Sequence, residues 1–241
     1  MLSLLGILIG YRFSGAKGIR YVAAVAMIVL FFALIRSAWN FFAVLDKNAI
    51  DSLQNYLFPL IGFAAYFVLK ILLAILGRNL EFAETFCHEL NHTFFALLSF
   101  RKIESFSAHA EEGGSVTFYG RHNPMISLAP YTFPLFAFFV SLLSLILIPE
   151  ARKVAQGLVG FFVAFHGMSV FHEARPYQTD LQIYGYFFSY VAILFFNLLW
   201  IPFVILLCEE GFSAALMWPH SAILQVQSWI TFIENSSLFG G

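Results

Sequence analysis

Cys87-His88-Glu89-Leu90-Asn91-His92-Thr93 holds the residue types that can do chemistry in this chain. On a helix, His88 and His92 stand four residues apart and project from one face about a turn apart, the spacing two imidazoles need to share a tetrahedral zinc ion. Glu89 follows the first histidine. That sets a carboxylate beside the metal, able to take a proton from an attacking water and deliver it to a leaving amine, as metal-assisted peptide hydrolysis requires. The bland reading is a satisfied structural histidine cluster. It is disfavoured because Phe86, Leu90, Phe94, Phe95, Leu97 and Leu98 make the surroundings apolar, where three ionisable groups are costly without a metal or partner. Cys87 is rotated by about 100° from His88 and reads as packing.

Zinc needs a third protein ligand and an open position for water. Two carboxylates compete. Glu112 lies twenty residues after His92, beside Gly113-Gly114 in a turn, whereas Asp180 opens an apolar run with no other acid before Glu209. A carboxylate committed to that place needs a metal or a cation, so Asp180 is the better choice. An extended 172–180 segment reaches up to roughly 26 Å, enough to carry Asp180 to the depth of His88.

The elements that must position these groups are membrane helices. Of 241 residues, 60% are hydrophobic, 19% aromatic and only 11% charged, with mean hydropathy +0.80; soluble domains carry about 25% charged residues. A net charge of −1 with no basic stripe sets nucleic acid aside as a partner. Two cysteines, Cys87 and Cys208, make no disulfide framework.

The expected fold is an all-α polytopic membrane protein of about six transmembrane helices. The spans fall at 21–45, 53–77, 82–100, 125–148, 154–171 and 181–207, with Pro130 and Pro134 kinking the fourth. Residues 1–12 read as a retained interfacial segment, and Arg36 and Lys70 as cations snorkelling to span ends, Arg36 toward Asp46. After the HELNH helix, Glu111-Glu112-Gly113-Gly114 is a turn, and Ser115 to Tyr119 alternates as a strand does, so a short β-hairpin is expected. Ile223, Val226, Ile230 and Ile233 recur at helical spacing after Pro219, which suits an amphipathic tail that lies at the interface or binds a partner. His166 reads as a hydrogen-bonded packing histidine, and His109, His122 and His220 as loop residues. Six basic residues (Arg12, Lys17, Arg20, Arg78, Arg152, Lys153) face five (Lys47, Arg101, Lys102, Arg121, Arg175) across the bilayer, a weak positive-inside bias.

ETFCHELNHTFFALL, a hairpin-like segment, two spans and a proline-containing polar stretch ending in aspartate together resemble the site-2 protease family of intramembrane zinc metalloproteases. The likeness covers about residues 80–207. It makes 1–79 accessory spans, 80–207 the metalloprotease core and 208–241 a tail within one membrane domain, at the cell (inner) membrane. It implies one zinc ion per chain on His88, His92 and Asp180, Glu89 as the catalytic carboxylate, and a membrane-protein substrate cleaved in or beside the bilayer. Ser115, Val116, Thr117 and Phe118 then form an edge on which unwound substrate pairs. Asn91 replaces the family's usual glycine, and RPYQTDLQ replaces its usual sequence around the third ligand. Arg175 and Gln178 are candidates to assist the oxyanion, and His172 to orient a ligand. The competing readings are a catalytically silent scaffold that binds partner helices, and a transporter using His166 and His172.

Overall fold

The computed structural model describes residues 17–45, 56–109 and 113–236. The 1–12 segment, Asp46, Lys47, Glu111 and Glu112 lie outside the described residues. The described residues are mostly helical and include one two-stranded hairpin. Its elements are α1 (Lys17–Leu45), α2 (Leu57–Ile75), α3 (Glu81–Leu98), β1 (Ile103–His109), β2 (Gly113–Phe118), α4 (Pro124–Ser127), α5 (Ala129–Thr132), α6 (Leu135–Ser144), α7 (Pro149–Glu173), α8 (Thr179–Tyr184), α9 (Tyr186–Glu209) and α10 (Phe212–Asn235).

Among the described residues, four helices are long and apolar enough to cross a membrane: α1, α2, α7 and α9. The expected six are not reached, for two physical reasons. Helix α3 carries Glu81, Glu84, His88, Glu89, Asn91 and His92 within 18 residues, too polar a surface for lipid on all sides. The 125–148 stretch is broken outright where a kink was expected. Phe133 precedes Pro134 and is forced extended (φ −127°, ψ 116°), so α5 ends there and α6 starts afresh. The 181–207 span is likewise two helices, divided at Gly185, whose φ of 86° suits a residue without Cβ.

Helices α2 and α7 meet backbone to backbone. A Cβ on Gly62 would lie 1.7 Å from the Gly157 carbonyl oxygen, and one on Gly160 would lie 1.9 Å from that of Pro59. Small residues allow this approach, which is how helices gain packing where lipid is as apolar as leucine. Gly62→Val should therefore lower the thermal unfolding temperature in detergent, at a cost of roughly 1–3 kcal/mol. Gly167→Ala, which meets nothing within 4 Å, is the neutral control; equal melting of the two variants would contradict the packing.

On the other side, α1, α9 and α10 share a core that includes Ala24, Met27, Leu34, Phe188, Ile193 and Ala222. Pro202 has no N–H, which frees the Leu198 carbonyl inside α9. Trp218 of α10 donates its indole N–H there, at 3.2 Å to Leu198 and 3.1 Å to Leu199. The tail helix is longer than the residue spacing suggests. Helix α10 starts at Phe212, holds Pro219 inside it, and turns Ala215, Trp218, Ala222, Val226 and Trp229 inward, while Ile223, Ile230 and Ile233 are exposed. The stripe runs one notch round the helix from the isoleucines because tryptophan and alanine interlock with α1 and α9.

The expected hairpin is present. Residues 113–118 pair antiparallel with 103–109, Phe106 opposite Val116, and the cross-strand hydroxyls Ser105–Thr117 and Ser107–Ser115 lie 2.6 and 3.0 Å apart. Its anchor to α3 includes Phe106, edge-on to Phe86 at 5.7 Å. His109 ends β1 and His220 lies within α10, so neither is a loop residue; His122 is one.

Candidate metal centre

Helix α3 begins where a helix should. The Asn79 side chain accepts the Glu81 N–H at 3.3 Å, and Glu81 and Glu84 fill the first turn, where carboxylates suit the positive end of the helix dipole. Its regular pitch brings His88 Nε2 and His92 Nε2 to 3.2 Å. Asn91 is buried on another face and donates to the Cys87 carbonyl at 3.0 Å, so the departure from glycine is absorbed away from the histidines. Cys87 is buried packing, as expected.

The other ring nitrogens are engaged. His92 Nδ1 donates to the Ile126 carbonyl at 2.8 Å, and α4, which presents that carbonyl, is capped by Asn123 accepting the Ile126 N–H at 2.8 Å. His88 Nδ1 donates to Glu173 Oε2, at the end of α7. With both Nδ1 atoms donating, both Nε2 atoms present lone pairs.

Asp180 stands in the first turn of α8, on a short helix rather than at the end of an extended reach, because α7 continues through Glu173 and leaves only 174–178 between the helices. Tyr190 donates to the Ala174 carbonyl, and Gln182 and Tyr186 to that of Pro176, at 2.9–3.1 Å. Arg20 of α1 donates to the Tyr184 carbonyl at 2.7 Å, closing the far end of α8. So held, Asp180 Oδ2 lies 3.3 Å from His92 Nε2 and 3.8 Å from His88 Nε2.

His88, His92 and Asp180 thus form a triangle with edges of 3.2, 3.3 and 3.8 Å. Ligands at zinc distances of about 2.0–2.1 Å in a tetrahedron stand about 3.4 Å apart. Three electron-rich atoms converge at that spacing, which is repulsive without a cation among them, so the donor set fits zinc in both size and chemistry.

Glu89 is buried beside the triangle without belonging to it. Gly114 of β2 lies over it: a Cβ there would come 2.4 Å from Glu89 Cγ and 2.7 Å from Oε1. Only glycine lets the strand pass so close to the carboxylate.

The remaining site residues are placed differently. Arg175 is exposed, donates to the His172 carbonyl at 3.0 Å, and lies 5.8 Å over the Phe171 ring. Gln178 precedes α8 as its cap residue, with no side-chain cap bond. His172 does not orient a ligand of the triangle. Its Nδ1 donates to buried Glu84 at 3.1 Å, and its Nε2 faces Lys70 Nζ at 3.5 Å. Lys70 therefore points to a partner on α7, where snorkelling was expected, while Arg36 is exposed. Glu173, unflagged in the sequence, takes the orienting place on His88. Its signal was an acid ending an apolar helix next to His172. Glu173→Gln should lower zinc affinity about 10–100-fold, as outer partners of ligating histidines do; a chelator competition titration giving wild-type affinity would remove that role.

Apolar spanning helices around an HExxH pair and a distant carboxylate are the build of a membrane metallopeptidase. The family described as Peptidase M50B-like matches residues 59–201, more than half of the chain, and the protein belongs to it, within the site-2 proteases. The match begins in α2, earlier than the 80–207 core read from the motifs. Comparison with curated proteins and with solved structures gives no match.

Proposed function

We propose that this protein is a zinc-dependent endopeptidase of the cell membrane that hydrolyses peptide bonds of membrane-embedded or membrane-adjacent proteins. The observation that carries the reading is the His88–His92–Asp180 triangle, built from two distant parts of the chain at the spacing of zinc ligands, with Glu89 beside it. Zinc held there supplies Lewis-acid polarisation of the scissile carbonyl and a lowered pKa for water. Glu89 accepts the proton of the attacking water and returns it to the leaving nitrogen. Glu173 and the Ile126 carbonyl keep the two imidazoles in the tautomer that offers Nε2.

A transmembrane helix pairs its amides internally, so a substrate must unwind before its carbonyl is reached, and the freed amides need partners. Strand β2 supplies them. β1 occupies one edge of β2, no strand among the described residues occupies the other, and Gly114 brings β2 onto Glu89. Ser115, Val116, Thr117 and Phe118 then hold substrate backbone by β-augmentation. Adjacent strand residues aim their N–H groups to opposite sides, so one of Val116→Pro and Thr117→Pro deletes a donor on the open edge. That variant should keep its zinc and lose cleavage by at least about 10-fold, the value of one lost hydrogen bond near 1.4 kcal/mol. Two proline variants that both cleave normally would make the hairpin irrelevant to substrate.

The reading as a whole is tested by metal analysis of detergent-purified protein and cleavage of a co-reconstituted membrane peptide. One equivalent of zinc with cleavage supports it. Zinc without cleavage favours the silent scaffold, and neither zinc nor cleavage removes the enzyme.

A further inference from the structure

Tyr131 is fully buried on α5, yet its hydroxyl has no hydrogen-bond partner. Tyr66 and Tyr184 share that condition, but Tyr66 is ringed by Phe67, Phe161 and Phe165, and Tyr184 packs against Phe188. Tyr131 instead lies edge-on to His88 of the triangle, ring centroids 5.2 Å apart. A buried hydroxyl without a partner is a standing cost, and phenylalanine would fill the same space without it. Such a group makes sense where a partner arrives during function.

The backbone that carries it is fixed from behind. Asn197 of α9 donates its side-chain N–H to the Tyr131 carbonyl at 2.7 Å and to the Ile193 carbonyl at 2.8 Å. Its Oδ1 accepts from buried His166 Nε2 of α7 at 2.9 Å. His166, expected as a packing histidine, thereby orients the amide that holds Tyr131. A tyrosine phenol is neutral at working pH, so Tyr131 is a donor there.

Resting on the proposed peptidase reading, we propose that the Tyr131 hydroxyl donates a hydrogen bond to the scissile carbonyl oxygen as that oxygen gains negative charge, with Asn197 as the positioning residue. The proton stays on the phenol, and no bond to Tyr131 forms or breaks. Pre-set donors of this kind act on the charge that develops in the transition state, so their loss falls on kcat.

The experiment compares full-length wild type, Tyr131→Phe, Asn197→Leu and the double variant. It measures zinc content, kcat and KM on a membrane peptide, and affinity for two inhibitors, a phosphinic peptide mimicking the tetrahedral oxygen and a reduced-amide peptide lacking that oxygen. Tyr131→Phe should keep zinc and KM, lose about 10²–10³ in kcat, and weaken the phosphinic peptide alone. Asn197→Leu should lower kcat, and the double variant should be no slower than Tyr131→Phe. Wild-type kcat and phosphinic affinity in Tyr131→Phe would overturn the proposal, as would equal weakening of both inhibitors, the mark of packing. If the wild type binds zinc without cleaving, the inhibitor pair still decides Tyr131; if it binds no zinc, the peptidase reading falls and this one with it.

Discussion

Glu89→Gln is expected to leave one equivalent of zinc on the purified protein and to lower peptide hydrolysis on the order of 10⁴-fold. The two outcomes separate because Glu89 supplies no corner of the metal triangle. In the proposed reaction its carboxylate handles the proton at both halves, as base toward water and as acid toward the leaving amine, and such catalysis accounts for about 10²–10⁴ in rate. Glutamine is the informative replacement because it keeps the volume packed beneath Gly114, where even one added carbon has no room. The strand therefore stays in place and only the proton transfer is lost. Cleavage near the wild-type rate in Glu89→Gln would remove this residue from the mechanism.

Asp180→Ala should cost the protein its zinc. One edge atom of the triangle disappears and only two protein ligands remain, so the loss should exceed the roughly 10–100-fold expected for removing an outer partner such as Glu173. Among the described residues, Glu173 is engaged with His88 and Glu84 with His172, so neither is free to take its place. His92→Ala should behave alike. Glu112→Ala serves as the counterpart, the carboxylate that competes with Asp180 in the sequence, and its zinc content should stay at one equivalent. Metal analysis showing the reverse order, zinc kept without Asp180 and lost without Glu112, would replace the ligand set.

The carboxylate that meets the two histidines was legible for a reason that does not depend on the path taken to it. A carboxylate at the head of a long apolar run is expensive in any topology, and that cost singled out Asp180. The path is different: reach alone allows an extended dip, whereas α7 carries the helix through Glu173 and a six-residue helix presents the aspartate. Reach sets only an upper bound, and helices form wherever their hydrogen bonds can be met inside the segment. In the tail, the inward face is decided by what α1 and α9 offer to pack against, and Trp218 finds the carbonyl that Pro202 leaves free, while Ile223, Ile230 and Ile233 stay exposed.

Features under short-range geometric control can be read from the residues alone. The helical repeat puts His88 and His92 on one face with Glu89 next to them, strand alternation after Gly113-Gly114 yields the hairpin, and composition alone demands a membrane. The partners that those groups meet come instead from the packing of distant segments. Glu173 on His88, the Ile126 carbonyl on His92, Gly114 over Glu89 and Asn197 behind Tyr131 each join residues 25 to 85 positions apart in the chain. Periodicity carries no information across such distances, because it records which way a side chain leaves its own element and not which element will stand opposite.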